Sequence, residues 1–183
     1  MKAADRLLQR WRIRRALAWL APGSDVLDVG SADGEFFARA GGLVRSGVGV
    51  DVAPVDHWQG GAAERRRGTF PDALLPGELF DAIVMLAVVE HVEETELKTW
   101  ARECFEHLRP GGRVVITVPS PFVDTLLHVG IALRLLDGME AHQHHGFVPQ
   151  QLPEIFGTAG LQLLTHRRFQ LGLNNLFVFH RPP

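Results

Sequence analysis

The sequence predicts a doubly wound α/β domain: a mostly parallel sheet of about seven strands with helices on both faces, finished by an antiparallel C-terminal hairpin. Three observations carry this. Short apolar runs alternate with helix-like segments along the 183 residues. One run, Gly47 to Val52, is continuous rather than alternating, as expected of a strand covered on both faces. The last two runs are joined by only a few residues, whereas a parallel crossover takes a dozen or more, so those two must pair antiparallel.

The elements follow in order. Asp5 to Leu20 reads as an amphipathic helix, with Ile13, Ala16, Leu17 and Leu20 on one stripe and Arg6, Arg10 and Arg14 on another. The turn Pro22-Gly23-Ser24 opens a first strand, Asp25 to Val29, and Glu35 to Ala40 is the helix after it. A second strand runs Gly47 to Val52, and a third is the short Gly68-Thr69-Phe70, with Arg65-Arg66-Arg67 as a solvated lead-in. Phe80 to Leu86 is the fourth. The next helix, Glu93 to Leu108, carries Glu93, Glu94 and Glu96 early and His107 and Arg109 late, which suits the helix dipole. Arg109-Pro110-Gly111-Gly112 stops it and leads into a fifth strand, Gly112 to Val118. Leu161 to His166 and Asn175 to His180 form the hairpin around Gly172-Leu173-Asn174. Without repeats or a dividing linker, residues 1–183 read as one domain.

Composition narrows the function. Nineteen Lys and Arg against 21 Asp and Glu give a formal net charge of −2, which excludes a broad basic face for nucleic acid, so no such partner is expected. A local basic patch is still allowed. Cys104 is the lone cysteine, which forbids an internal disulfide or a Cys-based zinc site and suits a reducing cytosol. The arginines near Met1 interrupt any signal-peptide apolar core, and no run reaches the roughly 18 apolar residues of a membrane span. A cytoplasmic location is expected.

After the first strand the chain reads Asp28-Val29-Gly30-Ser31-Ala32-Asp33-Gly34-Glu35. Small residues at 30, 32 and 34 let the backbone turn sharply from strand to helix while a ligand approaches the main chain. A dinucleotide fingerprint wants glycine at 30, 32 and 35, but Ala32 and Glu35 stand at two of those places, which disfavours a nicotinamide enzyme. Asp28, Asp33 and Glu35 would repel a diphosphate and suit a cationic ligand. Asp51 closes the second strand where a carboxylate takes both ribose hydroxyls. An adenosine-type ligand without pyrophosphate is implied, and S-adenosylmethionine, with its sulfonium and amino-acid tail, fits.

In order and spacing, Gly30 to Gly34, Asp51, Phe80-Asp81-Ala82-Ile83-Val84 through Glu90-His91-Val92, and Leu108-Arg109-Pro110-Gly111-Gly112 resemble the class I S-adenosylmethionine-dependent methyltransferases. The likeness is to the small-molecule group often labelled type 11 and runs from Val26 to about Phe179. It implies a Rossmann-like fold, S-adenosylmethionine as cofactor and a small-molecule acceptor. By the same resemblance the donor site takes in Asp28, Gly30, Ala32, Gly34, Asp51, Val52, Leu86 and Ala87. Ala32 replaces the family's middle glycine. Thr69 stands where the family usually has an acid near the adenine amino group, with Phe70 next to it to pack on the ring and Asp72 as a substitute acid.

The acceptor side rests on fewer residues. A hydroxyl acceptor needs a base and a neutral amine does not; His144 and His145, then His91, are the candidate catalytic bases, placed at the carboxyl ends of strands five and four. No metal is expected, because the histidine cluster lacks a spaced set of partner ligands. Between Pro119 and Val148 lies a lid or acceptor segment whose apolar residues go nearly all round a helix. Its second face calls for an apolar or lipid-linked acceptor, a homodimer partner, a membrane surface or the protein's own core. Trp11 and Trp19 beside the arginines of the first helix point to attraction to anionic lipid headgroups or to a phosphate-bearing acceptor, or else to a docked helix with a solvated basic face. The alternative to an enzyme is a non-catalytic module that binds S-adenosylmethionine and docks a protein or membrane partner.

Overall fold

A computed structural model describes residues 3–120 and 148–183, with side chains from residue 6 onward. The strands are β1 (Ser24–Val29), β2 (Val44–Asp51), β3 (Glu64–Arg67), β4 (Phe80–Leu86), β5 (Leu108–Pro119), β6 (Gln162–Phe169) and β7 (Asn174–His180). Together they form one sheet in the order β3-β2-β1-β4-β5-β7-β6. All neighbouring pairs are parallel up to β4–β5, and β7 then inserts antiparallel between β5 and β6. The helices are α1 (Ala3–Leu17), α2 (Glu35–Ala40), α3 (Glu94–His107) and α4 (Leu152–Thr158).

The strand side chains divide the core in two. Val26, Ala82, Val84, Val115, Leu176 and Val178 face α1 and α2, meeting Ile13, Ala16, Phe36 and Phe37. The residues between them, Leu27, Ile83, Met85, Val114, Ile116, Phe177 and Phe179, face α3 and α4 through Leu97, Trp100, Cys104, Leu152 and Phe156. Burial on both faces is why successive positions are apolar within β1 (Val26, Leu27) and along β4 from Ala82 to Leu86. Among the described residues no helix is long and apolar enough to cross a membrane.

The third strand is a correction. It comprises Glu64–Arg67, the stretch read as a solvated lead-in, while Gly68 to Phe70 lies beyond its end. Among the described residues it is an edge strand paired with β2 alone, and its registered partners run from Val48 to Asp51. It needs no apolar stripe there: Arg66 is covered by two carboxylates, Glu64 at 2.8 Å and Glu78 at 2.7 Å. The fifth strand begins at Leu108 rather than Gly112, because the Pro110-Gly111 stretch is absorbed as an irregularity in its pairing with β4. The hairpin turn is centred on Gln170 and Leu171, one step earlier than the glycine suggests.

Candidate functional site

The winding reverses between β1 and β4, and the carboxyl ends of strands at such a switch point are where open α/β sheets bind ligands. The chain leaves β1 through three left-handed residues, Gly30 (φ 75°), Ala32 (φ 44°) and Gly34 (φ 82°). At Gly30 a Cβ would lie 2.3 Å from a Val88 methyl carbon, so glycine is required both for space and for dihedral angle. The turn is pinned to β2 by Gly30 and Ser31, whose N–H groups both donate to the Val50 carbonyl.

Asp51 organises this turn as well as standing beside it. One carboxylate oxygen accepts from the Ala32 N–H at 2.8 Å, the other from the Ala53 N–H at 2.8 Å. Each oxygen still has a lone pair free for a ribose hydroxyl. Val52, next in the chain, is 60% exposed and offers an apolar surface at the end of β2. Ala87, at the end of β4, takes a left-handed conformation (φ 59°) and donates to the Thr117 carbonyl, which turns the chain away from the strand ends beside Leu86.

Asp28 is the electrostatic centre. It is 3% exposed, and among the described residues no side chain or N–H donates to its carboxylate. Burial, with the Asp51 charge adding to it, holds its pKa well above the usual carboxylate range. A buried acid without a donor is complementary to a cation, and the glycine cradle beside it admits a main-chain approach. These residues fit the ammonium tail and ribose of S-adenosylmethionine.

The β3–β4 connection departs from expectation in detail. The Thr69 hydroxyl donates to Asp72 at 2.8 Å, so the hydroxyl and the nearby acid form one polar pair. Phe70 is buried at 3% exposure against Trp100, ring centroids 5.2 Å apart, so its ring belongs to the core under α3. His91 is exposed in the short turn of helix Val89–His91 that follows β4. His144 and His145, with residues 121–147 of the acceptor segment, lie outside the described residues.

Two contributors escaped the sequence reading. Trp58 packs so closely on Gly34, Gly49 and Gly60 that a Cβ at any of them would fall within 3 Å of its ring, and its Nε1 donates to the Ala63 carbonyl. Gln59 clasps Asp33, its backbone N–H on the Asp33 carbonyl at 2.7 Å and its amide on the carboxylate at 2.5 Å. The β2–β3 loop thereby braces the turn. The glycines opposite Trp58 were the available signal, but they are paired with it only by the fold.

A family model described as a methyltransferase domain matches residues 2–166. A ubiquinone biosynthesis O-methyltransferase of Chelativorans sp. (strain BNC1) is 32% identical over 155 residues, covering 76% of this chain and 59% of that protein. A probable S-adenosylmethionine-dependent methyltransferase of Mycolicibacterium smegmatis is 28% identical over 166 residues, covering 85% and 64%. The chain thus spans about three fifths of the length of these relatives. Among solved structures, the N-methyltransferase NodS of Bradyrhizobium japonicum WM9 in complex with S-adenosyl-L-homocysteine superposes with a TM-score of 0.68 at 19% identity, covering 100% of this chain and 89% of that one. The Burkholderia thailandensis 1,6-didemethyltoxoflavin-N1-methyltransferase gives 0.73 at 19% identity, covering 98% and 82%. At these identities the superpositions establish the shared fold.

Proposed function

From the premise that the chain belongs to the methyltransferase domain family, we propose that it transfers a methyl group from S-adenosylmethionine to a small acceptor of apolar or lipid-linked character. The observation that carries the donor half is Asp28, a buried carboxylate with no donor among the described residues, set beside the left-handed turn of Gly30, Ala32 and Gly34.

The cofactor supplies an activated methyl on a positive sulfur, so the chain need not activate a leaving group. What its residues must do is hold and align. Asp28 balances the ammonium of the amino-acid tail. Asp51 accepts from the ribose hydroxyls while its bonds to Ala32 and Ala53 keep the turn in shape. Val52 packs along the base, and the Thr69–Asp72 pair offers an acceptor to the adenine amine in place of the family's acid. Alignment of a bound nucleophile with the methyl accounts for most of the acceleration in such a displacement, and exclusion of water protects it. For a hydroxyl acceptor the proton passes to one histidine base, for which His144 or His145 is preferred over His91.

The apolar character of the acceptor is supported by the composition of residues 121–136 and, as an analogy, by the ubiquinone-pathway relative. The test is calorimetry with S-adenosylhomocysteine, followed by radiolabelled methyl transfer to a panel of phenols, amines and prenylated quinols. Donor binding with transfer to a hydroxyl acceptor supports the proposal. Donor binding with no transfer and a stoichiometric protein complex would instead favour the non-catalytic module.

A further inference from the structure

Two stretches distant in sequence carry arginines and no acid at all. Residues 6–24 hold Arg6, Arg10, Arg12, Arg14 and Arg15, and residues 155–183 hold Arg167, Arg168 and Arg181, without one Asp or Glu. In a chain with more acids than bases this is segregation of charge.

The fold brings the two stretches together. The Gln170 side-chain amide donates to the Leu8 carbonyl at 3.0 Å, and the Phe169 ring meets Trp11 edge-on at 6.5 Å and the Arg15 guanidinium at 6.0 Å. Arg15, Trp19, Arg167 and Arg168 surround a cleft of about 260 Å³ with Phe169 and Leu176. Among the described residues none of these three arginines has an ion-pair partner, whereas Arg10 is held by Glu35 at 3.6 Å.

Large apolar side chains stand beside these cations. Leu171, at the tip of the β6–β7 turn, is 99% exposed, Leu7 is 65% exposed and Trp11 39%. Leu171 and Gln170 are both left-handed (φ 57° and 53°), a turn for which Asn and Gly are the favourable residues. Leu171 is left almost wholly exposed among the described residues, in a backbone conformation that leucine does not favour.

The position of this face is also informative. Phe169 and Pro119 both register with Asn174, so the β6–β7 turn lies at the carboxyl end of the parallel strands, the end that holds the donor site. α1 runs against the strands: Arg10 reaches Glu35 at the start of α2, and the Trp19 carbonyl accepts from Arg113 at the other end of the sheet.

We propose that the face built from α1 and the β6–β7 turn docks on an anionic lipid bilayer, with Leu171, Leu7 and Trp11 entering the interface and Arg15, Arg167 and Arg168 meeting headgroup phosphates. A nucleic acid would use the arginines but has no place for a protruding leucine; a headgroup layer over acyl chains uses both. This inference does not depend on methyl transfer, and binding alone tests it.

The experiment is co-sedimentation of the full chain with vesicles of phosphatidylcholine and with vesicles of equimolar phosphatidylcholine and phosphatidylglycerol. Each arginine near an anionic surface is worth roughly fivefold in partitioning, so the expected preference for the anionic vesicles is at least about tenfold, weakening with salt. Arg167→Glu with Arg168→Glu should remove that preference. Leu171→Asn should lower binding several-fold while the melting temperature holds or rises, because Asn tolerates the left-handed turn; that combination separates docking from stability. Arg102→Glu on α3 should change nothing. Failure to sediment with anionic vesicles, or sedimentation indifferent to Leu171→Asn, would overturn the proposal. So would a chain that ignores vesicles but binds duplex DNA through the same arginines.

Discussion

Replacing Asp28 by Asn removes a charge while keeping shape, and the structure sets opposite signs for stability and for donor binding. Asp28 is 3% exposed, and burial followed by the Asp51 charge raises its pKa well above the usual range. With the folded pKa above the unfolded value of about 3.9, the native state binds more protons. Stability conferred by the protonated acid is complete below about pH 4 and declines as pH rises toward the folded pKa, by at most about 1.4 kcal/mol per unit. Asn mimics the protonated acid, so the variant should lack this decline and unfold at a higher denaturant midpoint near neutrality. Donor binding moves the other way. A cationic ligand favours the ionised carboxylate, so binding to the wild type releases a proton, and affinity rises with pH by up to about tenfold per unit in that window. The variant loses a charge-assisted hydrogen bond of about 1.5–3 kcal/mol, roughly ten- to 150-fold in affinity, together with its pH dependence. Titration calorimetry with S-adenosylhomocysteine across pH, in buffers of different ionisation enthalpy, reads both the affinity and the released proton. A variant with wild-type affinity and wild-type pH dependence would refute the role given to Asp28.

Three further outcomes are expected. Gly30→Ala places a methyl 2.3 Å from Val88 at a positive φ and should cost about 1–3 kcal/mol in chemical denaturation while weakening the donor; an unchanged midpoint would contradict the geometry of the turn. Asp51→Ala should abolish measurable donor binding and cost roughly 0.5–1.5 kcal/mol of stability per lost bond, since the exposed N–H groups of Ala32 and Ala53 exchange the carboxylate for water; loss of binding with no loss of stability would show that the turn does not rely on it. Asp25 is held well below the usual carboxylate range, chiefly by its bond to Arg45, with Ser46 and Arg109 assisting against desolvation. Its folded pKa is depressed, so its contribution is present above about pH 4 and fades as pH falls. Urea melts should therefore show a deficit for Asp25→Asn at neutrality that shrinks in acid, and a constant deficit would contradict the pairing.

What the sequence made legible follows from how each element is stabilised. β1 and β4 are buried on both faces, so their apolar runs announce them, and the hairpin follows from the short connection between its strands. β3 was invisible because Arg66 is shielded by Glu64 and Glu78 instead of by apolar neighbours, leaving no hydrophobic period to find. The sharp turn after β1 is legible because its demands are local: small residues at alternate positions, Gly30, Ala32 and Gly34, which the chain places in left-handed conformations. Phe70 shows the limit of that reasoning. A residue type and a position after a strand suggested a ring for adenine, but which way the ring points depends on Trp100, thirty residues on. Trp58 is the converse case, a tryptophan in a polar loop whose purpose exists only once Gly34, Gly49 and Gly60 are gathered beneath it.

Net charge misleads in the same way, because it averages over two regions that the fold keeps apart. The acids Asp28, Asp33, Glu35 and Asp51 gather at the glycine turn, while Arg15 of α1 and Arg167 and Arg168 of β6 line the cleft beside Phe169 and Leu176. The Arg10–Glu35 pair lies on the boundary between them. A nearly neutral chain is thereby a strong local dipole, with a field that attracts a cationic donor to the turn and an anionic surface to the rim. The two attractions do not compete, since each rests on charge of the opposite sign. They differ in salt sensitivity: exposed arginines acting over a Debye length of about 8 Å at physiological salt are screened, while a buried carboxylate in contact with its ligand is screened far less. Raising ionic strength should therefore strip the chain from anionic vesicles well before it weakens the donor, and measuring both on one preparation separates the two regions of charge.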